Sequence, residues 1–450
     1  MGSGEPVNKS EKSARDIPLR RVLNLAQTTF VGIGTAIGGV MFAIMGRAIV
    51  VAGPSIIVTF LIGAVFALLV GLNYAELGAA VPGGAGGAIS FVRRAYGEGV
   101  VTFIAGWFDW IGSITDISVG SLVFAFSVNY FIRWIEPITL AVLTLVVVAL
   151  INFRGARSMG ISQFILTSIL ILSLCLFITW SSFNFEIRRF EPFFPSGIIP
   201  TLYMVSFIFP TYAGYETITQ LSEEVKIAGK TIPRALLLTL IVITALFTGS
   251  AIATIAGAPP EVYIGSATPM HDAANYFMGP IGGIVVSVGS IAAVLTTING
   301  SMAGGTRIAF ALSRSRLIPP FFNKVHSKYR SPYTALALTA LLAITLILTR
   351  SMDLIVYAIT LGYSVTAIAV ALSLIRLRKI EPQLYRPFKV PLYPYTSISA
   401  IVVLAFMIVT LSIESLILGA VLSLAGLALF ISTRKIRGNN AKSSLKKTYN

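Results

Sequence analysis

The chain is poor in the residues from which most active sites are built. Its 450 residues include one cysteine and two histidines. With Cys175 alone, no disulfide framework forms within the chain and no cysteine-ligated metal site can be assembled. His271 and His326 fall in predicted loops, away from any grouping of histidine, cysteine and carboxylate. A membrane-embedded enzyme needs a convergent nucleophile and base, and the apolar segments supply neither. Charge is scarce as well: only 12% of residues are Asp, Glu, Lys or Arg, about half the usual soluble share. Such a chain has too little polar surface to cover a soluble globule of this size, whereas a lipid solvent removes that requirement.

What is present is apolar. Hydrophobic residues make up 55% of the chain, and they gather into runs near the length of about 20 residues that crosses a bilayer as a helix. Twelve spans are expected, near 24–49, 54–80, 99–131, 137–153, 159–182, 198–222, 232–257, 279–313, 332–349, 354–376, 395–412 and 415–433. Alternate loops between them differ sharply in charge. Of the 34 lysines and arginines, 29 fall on one side and five (Arg47, Arg133, Arg188, Arg189 and Arg350) on the other. The positive-inside rule then predicts a multi-pass cell-membrane protein with both termini in the cytoplasm and an even number of spans. The net charge of +16 is accordingly a topology signal that touches anionic lipid, not a nucleic-acid footprint. Residues 1–21 read as a disordered cytoplasmic N-terminus without the apolar core of a signal peptide. Residues 435–450 read as a cytoplasmic tail, disordered over its polar end. The longest outer loop, about 258–278, is expected to form a short helix covering an outer vestibule.

Two spans carry helix breakers at mid-depth. Span 1 holds four glycines in the eight residues from Gly32 to Gly39. Span 6 reads Phe209-Pro210-Thr211-Tyr212-Ala213-Gly214. Glycine and proline weaken a helix by about 1 and about 3 kcal/mol relative to alanine. Backbone groups freed by a break cannot face lipid, so breaks belong where protein or a water-filled cavity satisfies them. The two breaks lie five spans apart, at matching places in successive five-helix units, 22–184 and 198–378. An odd number of helices per unit inverts the second unit relative to the first, the arrangement of secondary transporters that bind substrate at the break. The predicted fold is therefore an all-α polytopic membrane protein, a 5+5 inverted repeat with helices 1 and 6 broken, plus two C-terminal helices over 395–434. The competing reading is that the glycines only permit close helix packing.

The broken segments contain motifs that resemble the amino acid–polyamine–organocation superfamily of permeases over about 22–435. Span 1 reads Gly34-Thr-Ala-Ile37-Gly38-Gly39-Val40-Met41-Phe42, similar to the family's G-x-x-I-G-x-G-I-F. Span 2 ends in Tyr74-Ala75-Glu76-Leu77, followed by Pro82, Gly86-Gly87 and Phe91-Val92-Arg93-Arg94. After span 6 come Glu223-Glu224-Val225-Lys226 and Lys230-Thr231-Ile232-Pro233-Arg234-Ala235, and before span 11 stands Arg386-Pro387-Phe388-Lys389-Val390-Pro391. Val40, Ile89 and the Ser315-Arg316 pair depart from the family pattern. So does Leu170, which stands where some proton-coupled relatives carry a lysine in place of a sodium ion. The resemblance implies a LeuT-like fold and an amino acid permease acting as symporter or antiporter.

An α-amino acid joins a carboxylate and an ammonium on one carbon, and a broken helix offers amides on one side of its gap and carbonyls on the other. The amides of Gly38, Gly39 and Val40 are expected to receive the carboxylate, aided by the positive end of the following half-helix. Carbonyls from Phe209, Pro210, Thr211, Tyr212 and Ala213, with Ala36 at the first break, are expected to take the ammonium, with Ile37 also at the substrate and Phe209 and Tyr212 as an aromatic gate. Intramembrane acids cost about 2.5–3.5 kcal/mol each on insertion scales, so Asp109, Asp116 and Glu216 stand out. Asp116 is assigned to the substrate site. Any of the three acids can serve as a proton or amine site, anchor neighbouring hydroxyls or cap a half-helix, while Glu76 reads as structural. Gly34, Ile37, Thr297 and Ser301 form a candidate Na⁺ site, as in LeuT-like relatives, against the alternative of interhelical hydrogen bonding by Thr296, Asn299 and their neighbours. No cofactor is expected, and the coupling ion, H⁺ or Na⁺, is left open. The partners expected are a small amino acid and membrane lipid. A cationic amino acid or polyamine carrier is the second reading, and a non-transporting sensor a third. A channel would need a pore loop or rings of charge.

Overall fold

A computed structural model describes residues 18–448 apart from 83, 130–133, 267, 350–351, 410 and 412. The side chains at 40, 43, 47, 129, 352–360 and 434–448 also lie outside the description. Arg133, Arg350, the Arg47 side chain and the N-terminal segment 1–17 therefore fall beyond it.

Among the described residues the regular elements are all helices, joined by turns and loops, with one isolated parallel bridge between Leu23 and Val225. Asn24 opens α1 (Leu25–Ile37) with a capping box, accepting from the Gln27 amide while the Gln27 side chain accepts from the Asn24 amide. α1 stops at Gly38, whose φ of 51° lies in the left-handed region that glycine tolerates, and α2 (Val40–Ala52) resumes after Gly39. α3 (Ile56–Ala80), a short α4 (Ala88–Tyr96), α5 (Val100–Asn129), α6 (Pro137–Phe153) and α7 (Ala156–Ser181) follow. The second half opens with α8 (Ile198–Ile208), a 3-10 turn over Phe209–Tyr212 and the single turn α9 (Thr217–Gln220). Then come α10 (Ala228–Gly257), α11 (Pro260–Tyr263), α12 (Pro269–Met278), α13 (Pro280–Arg314), α14 (Tyr333–Leu348), α15 (Met352–Ile380), α16 (Tyr395–Val409) and α17 (Ile413–Thr448).

Every expected apolar run is occupied by helix, and both expected breaks are present. Among the described residues, seven helical stretches are long and apolar enough to cross a membrane, with four shorter apolar helices beside them. Their outward faces carry exposed Leu61, Val65 and Leu68 on α3 and Leu143, Val147 and Leu150 on α6. Such faces are stable only against an apolar solvent. The outer loop forms two short helices, α11 and α12, where one was expected. One expectation is corrected: α17 continues to Thr448, so the polar end of the tail is helical. That stretch contains no proline and has several lysines and an arginine, residues that favour helix wherever the chain is not pulled elsewhere.

α13 sits at the centre, packed against α1, α5 and α7, while α15 packs on α5 and α10 packs on α1 and α3. Gly300 and Gly304 share one stripe of α13 and leave room for the side chains of Thr35 and Gln220, while Gly305 on another face leaves room for Ser113. On the adjacent stripe, Asn299 donates to Gln163 of α7 (2.7 Å) and accepts from Asn152 of α6 (2.9 Å). These polar groups thus face neighbouring helices, within an otherwise apolar core, and the outward faces carry apolar residues.

Candidate functional site

The two breaks meet. After the 3-10 turn, Ala213 is extended (φ −66°, ψ 157°) and Gly214 takes φ 110°. A Cβ added at Gly214 would stand 2.8 Å from the Thr35 carbonyl oxygen and 3.0 Å from the Ala36 nitrogen. Only glycine allows the second break to cross the end of α1 this closely. Ala36, Ile37 and Gly38 are buried there, Gly39 is half-buried, and the Val40 side chain lies outside the described residues.

A cavity of about 530 Å³ reaches the first break at Gly39 and is walled by Phe42, Val294, Met270, His271 and Asp272, among others. α12 thus supplies part of the wall, as the covering helix was expected to do. His271 Nδ1 lies 3.1 Å from the Ser287 hydroxyl across this wall.

The far side of the crossing is closed by ion pairs. Arg307 of α13 donates from Nε and Nη2 to the two Glu224 oxygens at 2.9 and 2.8 Å, with both side chains only 1% exposed. Arg314 pairs with Glu223 at 2.9 Å. The amides of Val22 and Leu23 donate to the Glu224 carbonyl, and the Lys226 amide donates back to Leu23, tying the entrance of α1 to this seal. Glu76 accepts from Arg378 (2.9 Å) and from the Val390 amide (2.6 Å), a structural role as expected. The motif segments after span 6 and before span 11 therefore build the closed end.

The predicted site residues distribute unevenly. Tyr212 turns away from the break, donating to the Phe60 carbonyl of α3 (2.8 Å) with its ring against Phe247 at 5.1 Å. It anchors α3 and α10, so the expected aromatic gate is not built from Tyr212. Phe209 is buried edge-on to Phe66 and Tyr363. The Thr211 hydroxyl is spent on the Ile208 carbonyl, and Pro210 and Ala213 are half-buried. Glu216 Oε2 accepts from the Gly214 amide at 2.8 Å, so its side chain caps the break itself.

Asp109 and Asp116 face the same crossing from α5. Asp116 is half-buried and accepts from Ser301 at 3.4 Å. Asp109 is buried and accepts from the Gln220 amide at 3.1 Å. The two candidate sodium ligands of α13, Thr297 and Ser301, share one stripe of the helix, but the Gly34 carbonyl is met from the neighbouring stripe. Thr296, not Thr297, donates to the Gly34 carbonyl (2.8 Å), and a Cβ at Gly34 would meet the Gln163 amide at 2.7 Å. Thr297 reaches the Thr35 carbonyl at 3.5 Å, Ser301 faces Asp116, and Ile37 is fully buried.

Sequence reasoning missed Gln220, Tyr215, Tyr363 and Arg307. Tyr215 donates to the Ala67 carbonyl (3.1 Å) and lies 3.0 Å from the Tyr363 hydroxyl. The only signal for Gln220 was a neutral polar residue one turn beyond the second break, and for Arg307 a lone cation inside an apolar run.

A sequence profile of the family described as Amino acid permease matches residues 23–431. The branched-chain amino acid permease BcaP of Bacillus subtilis is 26% identical over 93% of this chain and 94% of its own length. The serine/threonine exchanger SteT of the same organism is 26% identical over 93% and 98% of the two chains. The Bacillus subtilis methylthioribose transporter is 24% identical over 90% and 91%. With the profile spanning nearly the whole chain, and crossed helix breaks inside an apolar helical protein, the chain belongs to the amino acid permease family of membrane transporters and is not an enzyme.

Proposed function

We propose that the chain is a secondary active transporter of amino acids that works by alternating access, with the substrate held where the two breaks cross. The observation that carries this reading is the contact of Gly214 with Thr35 and Ala36, which places free-ended backbone from two helices side by side. The amides of Gly38, Gly39 and Val40 take the substrate carboxylate at the positive start of α2. Carbonyls of Ala36, Ile37 and the Phe209–Ala213 segment take the ammonium, and Asp116 stands at the edge of the same space. In this reading twelve helices cross the membrane with both termini cytoplasmic. Units 22–184 and 198–378 form the inverted repeat, and 395–434 adds two helices. The cavity at Gly39 then opens outward and the Glu224–Arg307 seal faces the cytoplasm, so the conformation is outward-facing.

A cationic amino acid or polyamine is the second reading, favoured by Asp109 and Asp116, which accept hydrogen bonds from the neutral Gln220 and Ser301. Polyamines lack the carboxylate for which the first break supplies amides.

Counterflow uptake in proteoliposomes with a labelled amino-acid panel tests both. Zwitterionic amino acids should exchange, and Gly39→Trp should abolish exchange by filling the cavity floor. Failure of folded wild-type protein to exchange any amino acid would sink the transport reading. Competition by putrescine stronger than by neutral amino acids would favour the second.

A further inference from the structure

Two buried polar atoms near the crossing lack a hydrogen-bond partner, and they belong to neighbouring groups. Asp109 and Gln220 are 9% and 3% exposed. The Gln220 Nε2–H donates to Asp109 Oδ1 at 3.1 Å, while Asp109 Oδ2 and Gln220 Oε1 have no partner. Both unpaired atoms are acceptors if the aspartate is ionised, so nothing in the pair can satisfy either one. A buried carboxylate with an unpaired oxygen is costly, and an unpaired buried amide oxygen adds to that cost. Rotating the amide does not help. It would turn Oε1 onto Oδ1 and again require a hydrogen on the carboxyl group.

Among the described residues, the nearby cations are engaged elsewhere. The titratable groups within electrostatic reach are Tyr74 of α3, Glu216 at the second break and Asp116 on the same helix. From α13, Arg307 and Arg314 are committed to Glu224 and Glu223. From α4, Arg93 donates to Ser315 and Arg94 to Glu381. From α15, Tyr363 faces Tyr215, Arg376 lies over the Tyr96 ring, and Arg378 holds Glu76. On the other side, Gln220 Oε1 is backed by the bare backbone of Gly304.

One hydrogen resolves both defects. We infer that Asp109 is a proton site: a proton on Oδ2 donates to Gln220 Oε1 and closes an acid–amide ring with the existing Nε2–H···Oδ1 bond. The proton comes from the aqueous phase, and the carboxylate goes from charge −1 to neutral, with no other bond made or broken. Resting on the transport reading above, this makes H⁺ the coupling ion. Gln220 ends the α9 turn that follows the second break, so loading or release of the proton bears directly on the segment that crosses α1. Asp109 in this role is independent of the candidate sodium ligands.

The test is infrared spectroscopy of the purified protein in phosphatidylcholine vesicles, combined with transport driven by an imposed pH gradient. The wild type should show the carbonyl band of a protonated carboxylic acid, which Asp109→Asn loses and Asp109→Glu keeps. Gln220→Leu should shift the band by removing its acceptor. Accumulation driven by the pH gradient should be lost in Asp109→Asn. An acid band unchanged in Asp109→Asn would put the proton elsewhere and overturn the inference. So would accumulation in that variant that still follows the gradient. An acid band that behaves as expected, in wild-type protein without amino-acid counterflow, would uphold the proton site and sink the transport reading alone.

Discussion

α13 passes both ends of the polar interior, and its two halves meet very different surroundings. Around Val286, Ser290 and Val294 it borders a cavity, with α12 across the gap contributing Met270, His271 and Asp272. Thirteen residues after Val294, about 20 Å along a helix, Arg307 is clamped to Glu224 with no exposure to speak of. The open half uses small and mid-sized side chains that leave space, and its polar contacts are single hydrogen bonds such as His271–Ser287. The closed half uses a bidentate ion pair reinforced by main-chain bonds from the α1 entrance. The alternating-access mechanism proposed above needs such an imbalance, with the closed side held by contacts that can part as a unit.

The sharpest way to break that comparison is to remove one partner of the buried pair. Arg307→Met leaves Glu224 buried without its cation, and should destabilise the protein by about 3–5 kcal/mol. Thermal unfolding in detergent would measure it, and adding Glu224→Leu should recover most of the loss, because an apolar pair replaces an ionic one. A double variant no more stable than the single one would mean that the seal is not the pair.

Accessibility sharpens the contrast at an intermediate scale. On a background with Cys175→Ser, Ser290→Cys should react readily with an impermeant thiol reagent added outside whole cells, while Thr306→Cys should stay unlabelled. Equal labelling would erase the distinction between the two halves.

The smallest effect belongs to the rim of the closed end. Glu381, on the loop after α15, accepts from Arg94 at 2.7 Å, and that hydrogen bond holds its carboxyl below the usual glutamate range. Its contribution is present above the ordinary glutamate pKa and is lost as the pH falls through the lowered one. Being partly exposed, the pair contributes at most about 1 kcal/mol. Glu381→Gln should therefore lower the melting temperature slightly near neutral pH and not at all in strong acid.

Much of this was legible in residue order. Helices announce themselves through apolar runs because lipid leaves the backbone no other way to satisfy itself. The breaks were legible for the same reason: Gly38 at φ 51° and Gly214 at φ 110° sit where glycine was flagged. Glu76 read as structural and its bonds to Arg378 and Val390 agree. The gate assigned to Tyr212 failed because a sequence shows that an aromatic follows Pro210, but not which way it turns, and the Phe60 carbonyl lies on a helix 152 residues away. Gln220 stayed invisible because its meaning depends on Asp109, 111 residues distant.

Residue order alone carries the apolar surroundings, the helical content, the places where two helices must stop and the family, because each follows from composition, local propensity or an ordered motif. It took the packed molecule to reveal that the breaks touch, that Glu224 and Arg307 pair at one end, that Thr296 rather than Thr297 takes the Gly34 carbonyl, and that Asp109 and Gln220 share two unpaired atoms. Those facts depend on helix rotation and on contacts between distant segments, and a shift of one residue around a helix turns a side chain by about 100°.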